Sequence, residues 1–215
     1  MYIVLTGDLR SSKKMEDRNL SQEKLKGAIN YVNSRFKDYL ISDFRITGGD
    51  SFQGMISQLD VLVDLYFALY GRIGNPFYLG VGVGIISTSL SEFVQEIDGE
   101  AFHLSADALR TAKKKKRWIV MESPSGDDFE VAECILNLLF DVVWSWTDRR
   151  ADIILYYREN GENPEAIEQA SQKFQTGTRN IYKTLKAGNY SLFKYGEGVL
   201  DKQLKKLHHK IIDPD

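Results

Sequence analysis

Two aspartates stand where carboxylates from separate segments can meet. Asp8 follows the apolar run YIVLTG, and Asp50 follows Gly48 and Gly49 between two short alternating runs, DFRIT and SFQGMI. Mg²⁺ and Mn²⁺ take hard oxygen ligands, and Mg²⁺ commonly binds one or two carboxylates and completes its shell with phosphate oxygens and water. Two aspartates at one sheet edge would therefore suit metal-dependent phosphoryl chemistry. Aspartates also end strands and satisfy turn amides, and both readings are open at this level. Beside Asp8, the residues Arg10, Ser11, Ser12 and Lys13 form either a phosphate cradle or an ordinary solvated loop. Gly48 and Gly49 are candidates for close approach of a nucleotide as well as for the turn itself.

The elements that must position these residues are legible. YIVLTG is apolar on both alternating faces, as a central strand covered on two sides requires. SQEKLKGAINYVNSRFKDYL opens with Ser21 as a cap and spaces Leu25, Ile29, Val32 and Phe36 at helical intervals. A glycine hairpin carries Asp50 at its tip, and the helix QLDVLVDLYFALYGRI ends near Gly74, with Pro76 blocking continuation. In FYLGVGVGIIST, Leu79, Val81, Val83 and Ile85 alternate with Gly80, Gly82 and Gly84, so one face carries almost no side chain. A helix backbone or a ligand must pack closely there. The helix GEAFHLSADALRTAKKKKR and the strand WIVMES follow. This order predicts an α/β sandwich with a mixed sheet and helices on one side.

SPSGDD marks a boundary near Ser123 to Asp127, dividing the chain into residues 1–124 and 127–215. Beyond it the pattern is helical. FEVAECILNLLFDVVWSW is an apolar helix able to bridge domains or subunits, and the one cysteine, Cys134, reads as a buried inert thiol within it. Thr147 is placed to cap TDRRADIILYYREN, which Asn160 and Gly161 stop. NPEAIEQASQKFQTGTRNIYKTLKAGNY breaks into a helix begun by Pro164, a turn at Gln175 to Gly177, and a second helix. Ile167, Phe174, Ile181 and Leu185 fall inward, and Ser171 permits close helix packing. The tail DKQLKKLHHKII prolongs a helix, with His208 and His209 at its surface.

TGDLRSSK and ITGGDSFQG resemble the metal-holding segments of the nucleotidyl cyclase and GGDEF group of palm-like domains. With GVGVGIIST, the DGEAF helix start and the C-terminal helix-turn-helix outline, most of the chain resembles the SatD family. The resemblance implies an α+β protein: a cyclase-like or ferredoxin-like α/β sandwich with a mixed sheet, followed by an all-α helix-turn-helix domain. It also implies that Asp8 and Asp50 hold a divalent metal. Cyclases commonly carry an asparagine and an arginine on the later helix, where this chain has His103 and Asp107. An aspartate there repels developing negative charge, although Arg110 or Lys113 stands one turn onward as a substitute. His103 reads as a partly buried histidine bonded to backbone. The run Lys113 to Arg117 reads first as cations complementing a helix C-terminus.

Charge is segregated. The whole chain carries a formal −2, whereas residues 164 to 212 carry nine Lys/Arg against four Asp/Glu. Arg179, Lys183 and Lys186 lie in a stretch without acidic residues, suited to major-groove and phosphate contact. The absence of a run of about twenty apolar residues excludes a helical membrane span. The strand-like N-terminus and the lone cysteine point to cytoplasm. The leading expectation is a DNA-binding regulator, a homodimer in one version, whose front domain binds a nucleoside triphosphate or nucleotide with Mg²⁺ (or Mn²⁺). The alternatives are an active nucleotidyl cyclase or oligonucleotide-forming enzyme, and a non-catalytic dimerisation scaffold.

Overall fold

The computed structural model describes residues 1–10, 18–126 and 129–211. Ser11, Ser12 and Lys13 lie outside them. Five strands, β1 (Tyr2–Leu9), β2 (Leu40–Gly48), β3 (Ser51–Ile56), β4 (Phe77–Gly84) and β5 (Ile119–Glu122), form one mixed sheet in the order β2-β3-β1-β4-β5. β1 is antiparallel to both β3 and β4, while β4 and β5 run parallel. Among the described residues there are eight α-helices: α1 (Arg18–Arg35), α2 (Leu62–Ile73), α3 (Glu100–Lys115), α4 (Glu130–Trp144), α5 (Asp148–Glu159), α6 (Pro164–Lys173), α7 (Thr178–Ala187) and α8 (Tyr190–Ile211). The chain divides into two compact units, Met1–Asn137 with Leu200–Asp215, and Leu138–Val199.

In the first unit β1 is central because both of its faces bury apolar side chains, with Ile3, Val4 and Leu5 all at 1% exposure or less. One face of the sheet lies against α3. A Cβ on Gly80 would stand 2.2 Å from the Ser105 carbonyl oxygen, and one on Gly82 would stand 2.2 Å from that of Ala101. The bare glycine face is thus filled by helix backbone. The opposite face carries an aromatic layer in which the rings of Phe44, Phe52 and Phe77 follow one another at 6.4 and 6.2 Å, and Tyr66 of α2 meets Phe77 at 4.8 Å. Phe77 and Leu9 are register partners, whereas Thr6 and Asp8 pair with Gly80 and Tyr78 on the α3 face. Helices therefore cover both faces. The expectation of helices on one side fails because these aromatic side chains need a cover of their own.

Both outer strands are closed by asparagine amides that imitate a neighbouring strand. Asn33 of α1 accepts from the Phe44 N–H at 2.8 Å and donates to the Phe44 carbonyl at 2.9 Å. Asn137 of α4 accepts from the Ile119 N–H at 3.3 Å and donates to its carbonyl at 2.8 Å. Glu133 adds an acceptor for the Met121 N–H. These contacts satisfy edge groups that would otherwise invite pairing with another chain.

α1 buries Leu25, Ile29 and Val32 as expected, and Phe36 is buried just beyond its end, but its described start is Arg18, so Ser21 is a buried residue of the helix and not its cap. α2 ends on Gly74 in the left-handed region, φ 66°. α4 buries Ala132, Leu136, Leu139, Phe140 and Val143, leaving Val131, Leu138 and Cys134 exposed. The buried-thiol expectation is thereby corrected: the apolar run is wider than the face the helix buries.

In the second unit α5, α6 and α7 enclose Ile153, Ile167, Ala170 and Ile181, with Tyr156, Tyr157, Phe174 and Leu185 packed around them. Ala170, rather than Ser171, is the small inward residue, since the Ser171 hydroxyl turns back to the Glu168 carbonyl at the surface. Asn163 caps α6 by accepting from the Ala166 N–H at 2.9 Å, ahead of Pro164. Thr147 precedes α5 without a side-chain cap bond. Between α6 and α7, Gln175 takes φ 49°, a conformation that favours glycine.

Candidate functional site

Asp8 sits near the carboxyl end of β1 and pairs in register with Ser51, the residue after Asp50. The Leu9 N–H also donates to the Asp50 carbonyl at 3.2 Å. The hairpin, turned through Gly49 at φ 55°, thus places both aspartate positions at one edge of the sheet. The Ser51 hydroxyl donates to Asp8 Oδ1 at 2.6 Å, which fixes the plane of the carboxylate. Asp8 Oδ2 receives the Lys113 ammonium at 2.7 Å, with side-chain exposures of 21% and 41%. Asp50 Oδ1 is buried and has no hydrogen-bond partner among the described residues.

That orphan oxygen is the test of whether the donor set fits a divalent cation. A buried carboxylate oxygen without a donor is costly, and a hard cation is the chemistry that would satisfy it. The carboxylates of Asp8 and Asp50 are the ligand type Mg²⁺ or Mn²⁺ would take, with phosphate and water completing the shell. Among the described residues no cluster of three or more His, Cys, Asp or Glu could hold a metal by itself. Such a site depends on its ligand.

Around the pair, Gln53 donates to Thr6 Oγ1 at 2.9 Å, and Thr6 shares a 2.8 Å hydrogen bond with Ser105 of α3. This polar line continues from Asp8 along the α3 face. Arg10 lies with its guanidinium carbon 6.0 Å from the Tyr78 ring centroid and 5.8 Å from that of Trp118. Tyr78 and Trp118 are themselves stacked at 6.2 Å. Tyr78 is the register partner of Asp8, so the aromatic pair and Arg10 flank the carboxylate. Gly48 ends β2 with nothing within 4 Å of its added Cβ.

The later helix resolves the question raised by its composition. His103 is exposed, with Nε2 3.8 Å from Asp98, which corrects the expectation of a partly buried, backbone-bonded ring. Arg110 pairs with Asp107 at 2.6 Å on an exposed face. Of the two cationic candidates on α3, Lys113 is the one that reaches the carboxylate edge. Nearby on β5, burial and then the charges of Asp107 and Glu133 push Glu122 above the usual carboxylate range.

In the second unit α7 buries only Ile181 and exposes Arg179, Asn180, Tyr182, Lys183 and Lys186. A concavity of about 340 Å³ runs between the start of α5 and α7, lined by Arg149, Arg150, Asn180 and Lys183 among others. Arg149 also donates to the Phe174 carbonyl at 3.1 Å, tying α5 to the turn before α7. The three sequence candidates thus share one exposed helix, and Arg149 and Arg150 join Lys183. Sequence reasoning missed these arginines. Their only signal was an Arg-Arg pair in the first turn after the Thr147 cap position, following Asp148.

The sheet, its carboxylate edge and the three-helix unit together define an α+β protein, and residues 2–193 match the model of the SatD family. The chain belongs to the SatD family. No curated protein matches it. No described helix is long and apolar enough to cross a membrane.

Proposed function

We propose that this SatD-family protein is a cytoplasmic DNA-binding regulator whose α/β unit, read as palm-like, binds a nucleotide with Mg²⁺ or Mn²⁺. The observation that carries the DNA reading is the outer face of α7. Arg179, Lys183 and Lys186 are exposed together on a helix that follows a short turn from α6. A second helix presented this way is how helix-turn-helix domains reach base edges, with neighbouring cations on phosphates. Arg149 and Arg150 extend the positive surface.

For the α/β unit, support comes from the buried orphan oxygen of Asp50 and the oriented carboxylate of Asp8. Asp8 and Asp50 would hold the metal, which supplies charge neutralisation at the phosphates. Arg10 would contact the nucleotide, with the Gly48–Gly49 turn admitting its close approach. The same reading includes Ser11, Ser12 and Lys13 as phosphate contacts.

The experiment is DNA binding by fluorescence anisotropy across a salt series. Affinity falls steeply with salt, as counterion release requires, and Lys183→Glu with Lys186→Glu abolishes binding while the protein stays folded. Equal binding by wild type and the charge-reversed variant would refute α7 as the reader. A second reading, an active nucleotidyl cyclase or oligonucleotide-forming enzyme, is favoured by Lys113. It puts a cation beside the carboxylates where Arg110 is held by Asp107. Chromatography after incubation with each nucleoside triphosphate and Mg²⁺ or Mn²⁺ decides it: a product lost in both Asp8→Ala and Asp50→Ala would replace the regulator with the enzyme.

A further inference from the structure

We infer that Lys113 is a tethered cation: its ammonium holds the place of the metal at Asp8 and transfers to the nucleotide's phosphates when metal enters. The inference rests on the reading of Asp8 and Asp50 as a cation site. The two oxygens of Asp8 are in different situations. Oδ1 is engaged by the Ser51 hydroxyl at 2.6 Å, a bond that orients the carboxylate. Oδ2 meets the Lys113 ammonium at 2.7 Å. A cation that binds through Oδ2 therefore competes with Lys113 for that oxygen.

The pair is built to be exchanged. Lys113 retains 41% of its side-chain exposure and Asp8 retains 21%, and ion pairs open to water in this way contribute little to stability. A divalent cation would bring twice the charge to the same oxygen and would also offer a partner to Asp50 Oδ1, a buried atom without a donor among the described residues. Lys113 is bonded to Asp8 and makes no hydrogen bond to that second oxygen. Once displaced, it remains beside the carboxylate edge on a flexible four-carbon stem in the last turn of α3. A phosphate oxygen drawn in by the metal then offers the ammonium a new anionic partner. Lys114 and Lys115 are exposed in the same turn, so the transfer takes place within a locally positive field.

This role has a signature that a fixed structural pair lacks, because removing Lys113 changes the two ligands in opposite directions. Mn²⁺ affinity is read by electron paramagnetic resonance of free Mn²⁺, and tripolyphosphate affinity by calorimetry at saturating Mn²⁺. The proteins are wild type, Lys113→Met, Lys113→Arg and Asp8→Asn, each checked for an intact fold by circular dichroism. Lys113→Met is expected to bind Mn²⁺ about two- to fivefold more tightly, the scale of a partly exposed ion pair, and tripolyphosphate more weakly by a similar factor. Lys113→Arg restores wild-type behaviour, and Asp8→Asn removes Mn²⁺ binding. Binding of Mn²⁺ by Lys113→Met but not by wild type would support the exchange in its strongest form. If wild type binds Mn²⁺ and Lys113→Met binds it no more tightly, the exchange is overturned and the metal reading stands. If neither protein binds Mn²⁺, the metal reading falls and takes the exchange with it.

Discussion

Replacing Gly80 with alanine sets two physical effects against each other. Alanine is the less flexible residue and by backbone entropy alone would stabilise a strand. At Gly80, however, the new Cβ would meet the Ser105 carbonyl oxygen at 2.2 Å, the Leu109 nitrogen at 2.3 Å and the Leu109 Cα at 2.8 Å. All three are backbone atoms and cannot rotate away, so α3 must move outward by roughly 1 Å to regain ordinary contact distances. Overpacking of this kind costs about 1–3 kcal/mol. Breaking the buried Thr6–Ser105 hydrogen bond of 2.8 Å adds about 1 kcal/mol. The sum of about 2–4 kcal/mol lowers the melting temperature by about 4–16 °C for a unit of this size. Thermal unfolding by circular dichroism measures it. Gly27→Ala is the control: Gly27 lies in α1 with nothing within 4 Å of an added Cβ, so it should gain about 0.5–1 kcal/mol. A Gly80→Ala protein that melts with wild type would refute the claim that β4 and α3 pack backbone to backbone.

Cys134 is exposed on α4. One thiol per chain should react with Ellman's reagent in the native protein at a rate comparable to that of the urea-unfolded chain, and reaction limited by unfolding would contradict the assigned face of the helix. Glu197 gives the second unit a pH dependence. Burial by itself pushes its carboxyl up, but the hydrogen bond and charge of Arg158, reinforced by Lys194, outweigh this and hold it below the usual range. A depressed carboxylate contributes stability that is present above the unfolded value near 4.5 and is lost as pH falls through the folded one. The urea midpoint should therefore drop progressively below about pH 4.5. Glu197→Gln should flatten that slope and cost about 3 kcal/mol at neutral pH, since Arg158, with 12% side-chain exposure, loses the carboxylate charge that faces it. A variant with an unchanged acid profile would show that the pair contributes nothing.

What was legible in the sequence follows the range of the forces involved. The hairpin at Gly48–Gly49, the stop at Gly74, the glycine face of β4 and the inward Ile167 and Ile181 are set by local backbone and periodicity, and each appears in the structure. Which face of the sheet a helix takes is a long-range matter. The order of elements did not reveal that Tyr66 would cross to Phe77 while α3 took the glycines. Phase errors account for Ser171, where Ala170 points inward, and for Cys134, which lies within an apolar run wider than the buried face. Lys113 was the hardest to read, because a lysine at a helix end already has a sufficient explanation in the macrodipole. Its partner, Asp8, lies on the first strand. The aromatic seat of Arg10 was likewise hidden, since Tyr78 and Trp118 come from two strand regions joined only by parallel pairing.

The account centres on a DNA reader whose affinity responds to the nucleotide bound by its other unit. Its most direct test is anisotropy of labelled DNA with the full-length protein, in the presence and absence of each nucleoside triphosphate with Mg²⁺, for wild type and Asp50→Ala. The account predicts that one nucleotide shifts the dissociation constant by about fivefold or more, the usual scale of coupling between sites, and that Asp50→Ala removes the shift while binding DNA normally. DNA affinity unchanged by every nucleotide would contradict it.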